Sequence, residues 1–281
     1  MNHSKFWVLE GSKSMNYSVP AYLPPFMLMG MITVITAVLL GLRSALRRAA
    51  WPEKDLFKAF WSISSILVGW FVFAVVTSVA GLYRPPSGRP PTIQYALLAP
   101  IVLGVLLFRM SPLLRRALAA VPDTWLVGVQ VYRVLGVIFL VLYAGGHLPG
   151  VFALPAGVGD TLVGILAPFV AASFARSANG SERRVRIWNL LGIADLVIAV
   201  TLGFLTSPSP FQVAAFDRPS ALIAMFPLSL IPVFAVPISI LLHIASLQRL
   251  SQHPVTGVRE RIQDVASSRE LKRNTAHGIQ Q

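Results

Sequence analysis

The chain has no cysteine, which excludes a disulfide framework, thiolate catalysis and cysteine-ligated metal. Charge is scarce: 12% of the 281 residues are Asp, Glu, Lys or Arg, against roughly a quarter in a soluble domain. Acids are the scarcer sign, 11 against 24 Lys and Arg. Missing as well are the patterns G-x-x-x-x-G-K-[ST], H-E-x-x-H and G-x-S-x-G, so P-loop, zincin and hydrolase chemistry have no motif to rest on. No lysine lies in the last apolar segment to hold retinal as a Schiff base. No metal site or cofactor is expected, and an enzyme is the least favoured class.

What remains is apolar sequence, 55% hydrophobic with a mean hydropathy of +0.67. The lipid bilayer is therefore the expected solvent. Spans of roughly 20 residues divide the chain into an all-α bundle of seven transmembrane helices, at about 25–42, 60–82, 93–108, 124–144, 154–174, 187–206 and 221–247. Residues 1–24 form a polar external segment, 25–247 the membrane domain, and 248–281 a cytoplasmic tail whose charge-rich composition suits disorder. The segment SPLLRRALAAV after the third span has the alternation of a short interfacial amphipathic helix.

Orientation follows from the placement of Lys and Arg on alternate sides. Arg133 is intramembrane, and of the others only Lys5, Lys13, Arg84, Arg89 and Arg218 fall on the side of the N-terminus. The N-terminus is thus expected outside and the C-terminus in the cytoplasm of a multi-pass cell-membrane protein, of the bacterial inner-membrane kind. Trp51, Trp61, Trp125 and Trp188 fall near the basic side and Tyr17, Tyr22, Tyr83, Tyr95 and Tyr143 near the other, as two interfacial belts would. The basic excess of the chain then suits anionic lipid at the cytoplasmic face, and nucleic acid is an unnecessary partner. Oligomeric state is not legible.

Three charges interrupt the apolar runs: Arg133, Asp160 and Asp195. Each costs at least ~2.5 to 3.5 kcal/mol near the bilayer centre, so each is expected to face protein and find a partner. From helical rise, Arg133 lies ~16 Å from Pro122 and Asp195 ~14 Å from Arg186, with Asp160 ~21 Å from the basic side. Arg133 and Asp195, at nearly equal depth, are expected to pair, leaving Asp160 as the surplus acid that binds a proton or cation. Small residues share the face of Asp160 on the fifth span (Ala156, Gly164, Ala167, Ala171), which permits close helix contact. Gln130 and Asn189 are further polar candidates on the fourth and sixth spans. His243 and His147 are read as residues of opposite interfaces.

Two functions compete at this stage. Intramembrane charges mark pathways, which favours a small transporter or permease with a midplane site for a small solute and a proton or cation. The alternative is a non-enzymatic sensor or assembly protein in which the trio is a structural ion-pair network.

Overall fold

The computed structural model describes residues 19–84, 92–178 and 180–252. Among those residues the regular structure is all helical, with no strand, and seven helices are long and apolar enough to cross a membrane. They are α1 (Leu23–Arg48), α2 (Glu53–Val79), α3 (Ile93–Met110), a composite fourth span (Asp123–Ala144), α7 (Gly150–Ala175), α8 (Ser181–Thr206) and a composite seventh (Ile231–Ser251). Between the third and fourth lies α4 (Pro112–Ala120), where the amphipathic helix was expected; Ser111 Oγ caps it by accepting from Leu114 N at 3.2 Å.

Most spans outrun their expected bounds. Helix α1 continues to Arg48 and α2 begins at Glu53, because charged terminal turns that depress an apolar window still satisfy a helix in the headgroup layer. They also suit the helix dipole: Glu53 and Asp55 occupy the first turn of α2, Arg47 and Arg48 the last of α1. The final helix likewise runs to Gln252 rather than stopping at 247. The expectations for residues 1–18, for the proline cluster at 85–91 and for the tail beyond 252 lie outside the described residues.

The seventh span needs a larger correction. Residues 221–230, expected to be membrane helix, form a short 3₁₀ turn (Ala221–Ala224) followed by irregular chain, and the crossing helix begins at Ile231. Pro227 cannot continue a helix, but the stretch is as apolar as the span that follows, so hydropathy does not separate the two. Leu222, Leu228, Ser229 and Leu230 are buried in the bundle, where irregular backbone at membrane depth is tolerated. Ser229 Oγ donates to Ser78 Oγ at 2.8 Å and Thr206 Oγ1 to Ser220 Oγ at 2.9 Å, tying this segment to α2 and α8.

Both composite spans change winding in mid-course. The fourth is α5 (Asp123–Gly128), a 3₁₀ stretch (Val129–Gly136) and α6 (Val137–Ala144). The seventh opens with a π turn (Ile231–Ala235) ahead of α9 (Val236–Gln252), in which Val236 N bonds Ile231 O five residues back, between Pro232 and Pro237. Helix α7 is central: it packs along the fourth span on one side and α8 on the other, while α9 contacts α3, α5 and α8. Basic helix ends collect at the end of the bundle that carries α4. There Arg249, from α9, donates to Asp123 Oδ1 (3.0 Å), Leu118 O (2.9 Å) and Ala119 O (2.7 Å), holding the end of α4 against the bundle.

Candidate functional site

The 3₁₀ stretch of the fourth span sets the geometry. With three residues per turn, positions i and i+3 eclipse, so Gln130, Arg133 and Gly136 form one ridge and Val129, Tyr132 and Leu135 another. The first ridge is buried against α7 and the centre of the bundle. On α7 the small-residue face is buried as expected, with Ala156, Asp160, Gly164, Ala167 and Ala171 all inside. Glycines stand where the helices meet. A Cβ on Gly164 would lie 2.5 Å from Val134 N, one on Gly136 would strike the Asp160 side chain, and one on Gly159 the Asp195 carboxylate.

The three charges converge. Arg133 Nε donates to Asp160 Oδ1 at 2.8 Å and Nη2 to Asp195 Oδ2 at 2.5 Å. The expectation that Arg133 pairs with Asp195 alone is corrected: a guanidinium presents donors on three nitrogens, and that fork spans the difference in depth between the two acids. Nη1 is also occupied, by Gly192 O at 3.2 Å and His243 Nε2 at 3.1 Å.

His243 corrects a second expectation. It is not interfacial but wholly buried, because a span starting at Ile231 places it at mid-depth. Its protonation follows from its neighbours. Arginine only donates, so Nε2 accepts; Nδ1 then carries the proton and donates to Asn189 Oδ1 at 2.8 Å. Asn189 Nδ2 in turn donates to Val185 O (2.9 Å) and Ser246 Oγ (3.0 Å). Trp188, read as a member of the interfacial belt, is also internal: Nε1 donates to Val163 O at 3.3 Å and its ring lies 5.0 Å from His243. Gln130 Nε2 donates to Ser239 O at 3.1 Å, and Ser239 Oγ is hydrogen-bonded to the Tyr132 hydroxyl.

The structure thus brings Gln130, Arg133, Asp160, Asn189 and Asp195 to one centre and adds Tyr132, Ser239, His243 and Ser246. The seventh-span members had a signal. Ser239, His243 and Ser246 sit at i, i+4 and i+7 in an otherwise apolar helix, the spacing of one polar face.

Two cavities reach Asp160 from the half of the bundle away from α4. One, of about 50 Å³, lies between α1, the second ridge of the fourth span and Ser239, with Met27, Gly30, Tyr132 and Asp160 in its wall. The other, of about 90 Å³, runs from Asp160 and Leu196 past Phe139, Phe152 and Phe204 to Gln94, Ser207 and Ser220. Toward the α4 end the interior is filled by Leu42, Leu46, Ala117 and Leu126 on one side and Val127, Ala167, Trp188 and Leu250 on the other. A water needs about 10–15 Å³ of such space, so each cavity admits a few waters or a solute of a few heavy atoms.

Residues 90–251 match a family known as a domain of unknown function, DUF8737. The chain belongs to that family. The DUF8737 segment covers the third to seventh spans, and with them Arg133, both aspartates, Asn189 and His243. Every residue lining the larger cavity falls inside it, whereas the smaller cavity also needs α1, which lies outside. No curated protein and no solved structure matches the chain.

Proposed function

We propose that this integral membrane protein is a small carrier whose midplane carboxylate, Asp160, binds and releases a proton or monovalent cation. One observation carries this reading: Asp160 lines both cavities while sharing a single guanidinium with Asp195. Two carboxylates against one fixed cation leave a surplus negative charge, and His243, held neutral by its hydrogen bonds, does not offset it. A proton or cation arriving through one of the cavities does. Asp195, whose side chain is slightly the more exposed (16% against 12%), lines neither cavity, and on that ground we read Asp160 as the exchangeable position.

In sealed vesicles loaded with a pH-sensitive dye and clamped at zero membrane potential, the protein should dissipate an imposed pH gradient faster than protein-free lipid, and Asp160→Asn should return the rate to that of lipid alone. Infrared difference spectra between acid and alkaline buffer should show a protonated-carboxyl band that vanishes in Asp160→Asn and persists in Asp195→Asn. Vesicles no leakier than lipid, together with absence of that band, would sink the reading. The second reading, a structural network in a sensor or assembly protein, is favoured by one fact: Arg133 already has four hydrogen bonds to protein.

The α4 end is assigned to the cytoplasm. It carries Arg43, Arg47, Arg48, Lys54, Lys58, Arg109, Arg115 and Arg116, the asymmetry that directs membrane insertion. Arg116 lies 4.8 Å above the Trp51 ring, an arrangement suited to an interface with anionic lipid. A reporter fused after Gln281 should therefore be active only if it works in the cytoplasm; an externally active fusion would reverse the assignment.

A further inference from the structure

The larger cavity has a chemistry of its own. Its deep end is Asp160, its walls are Phe139, Phe152, Leu196, Val200 and Phe204, and its far end holds Gln94, Ser207 and Ser220. The buried Oε1 of Gln94 has no hydrogen-bond partner among the described residues. Four of the five guanidinium N–H bonds of Arg133 are spent on Asp160, Asp195, Gly192 O and His243. The site therefore offers acceptors and a surplus negative charge to whatever enters. An anion meets repulsion at the carboxylate, and the donors not already spent, Gln94 Nε2 and the Ser207 hydroxyl, stand at the far end away from it. A bare alkali ion would exchange its hydration shell for one carboxylate and a largely apolar wall, a loss of oxygen ligands such ions do not readily accept. A cation with an apolar body fits both parts: N–H donors meet the carboxylate, and carbon lies among the aromatic rings.

We infer that the larger cavity binds a small alkylammonium ion, its charged head at Asp160 and its chain directed toward Gln94 and Ser220. This deepens the carrier reading and rests on Asp160 being the exchangeable carboxylate. The buried segment Ser220–Leu230 supplies Ser220, Ile223 and Ala224 to the far end of the cavity, so the chain terminus of the ligand meets the irregular segment rather than a regular helix. Gly203, on α8, borders the same passage; a Cβ there would lie 3.3 Å from the Phe152 ring, and a longer side chain would occupy the space the ligand needs without touching the ion pairs.

The test is calorimetric titration of the full chain, in nanodiscs of uncharged lipid at one fixed pH. The probes are methyl-, ethyl-, propyl- and butylammonium chloride, with sodium chloride, butyrate and butanol beside them. Affinity should rise roughly three- to fourfold per methylene, the effect of burying one CH₂, while butyrate and butanol do not bind. Asp160→Asn and Gly203→Leu should each lower butylammonium affinity by at least about tenfold, the equivalent of one lost charge contact or a blocked chain site. Sodium binding as well as butylammonium would overturn the inference, as would a chain-length trend that survives Gly203→Leu, which would place the amines in lipid. Should Asp160→Asn fail to fold, Gly203→Leu decides alone. If no alkylammonium binds while the Asp160 infrared band and proton flux persist, the inference falls and the carrier reading stands; if band and flux are absent too, both fall.

Discussion

Replacing Arg133 with glutamine should destabilise the protein by about 3 to 5 kcal/mol, the usual cost of removing one partner from a buried ion pair. The substitution leaves Asp160 and Asp195 without their common cation, and it strips Gly192 O and His243 Nε2 of a donor. Loss of the monodisperse peak in detergent, or a large fall in thermal midpoint, is the expected readout. Lysine should rescue little, because an ammonium donates from one point while the four acceptors surround a planar fork. Neutralising everything at once should rescue more: with Arg133→Gln, Asp160→Asn and Asp195→Asn together, no uncompensated charge remains. If Arg133→Gln alone folds with wild-type stability, the network does not hold the bundle together, and the structural alternative loses its support.

The second large effect belongs to a residue with no polar atom in its side chain. Gly164→Val should disrupt the contact between α7 and the fourth span, because even its Cβ would lie 2.5 Å from Val134 N and 3.0 Å from the Arg133 carbonyl carbon. Overpacking a core commonly costs about 1–3 kcal/mol. Here the opposing atoms are backbone, which cannot rotate aside, so the upper end of that range is expected. The same displacement moves Asp160, one turn away on the same face of α7, from Arg133, so residual folded protein should also lose proton flux. Gly69→Ala on α2 is the control: its Cβ would meet nothing within 4 Å, and the gain in helix propensity should leave stability unchanged or raised by about 0.5–1 kcal/mol. Equal effects of the two substitutions would contradict the packing account.

Much of this centre is legible from residue order. Arg133, Asp160 and Asp195 announce themselves because charge is costly in hydrocarbon, and the small face around Asp160 announces a close helix contact because alanine and glycine at helical spacing have little other use there. His243 does not announce itself. A histidine is apolar enough to sit at an interface and polar enough to sit in a network, and its depth depends on where the seventh helix starts. That start is hidden because residues 221–230 are as apolar as Ile231–Ser251, and only tertiary burial distinguishes a folded-in segment from a crossing one. Trp188 misleads for a related reason: an indole near a span end suits a headgroup layer, but here the bundle supplies Val163 O as the acceptor that water would otherwise provide.

The sequence by itself determined the apolar character of the chain, the number of helices long and apolar enough to cross a membrane, the end at which basic residues collect and the charges that must find partners, since each follows from transfer energies that a residue carries into any helical bundle. Which partners they find was decided only by the tertiary structure. Guanidinium donors reach two carboxylates, a carbonyl and an imidazole because a 3₁₀ stretch turns Arg133 onto a ridge facing α7, and because glycines at 136, 159, 164 and 192 let four segments approach. Those are properties of winding and contact between segments up to 110 residues apart, and no local pattern in the chain encodes them.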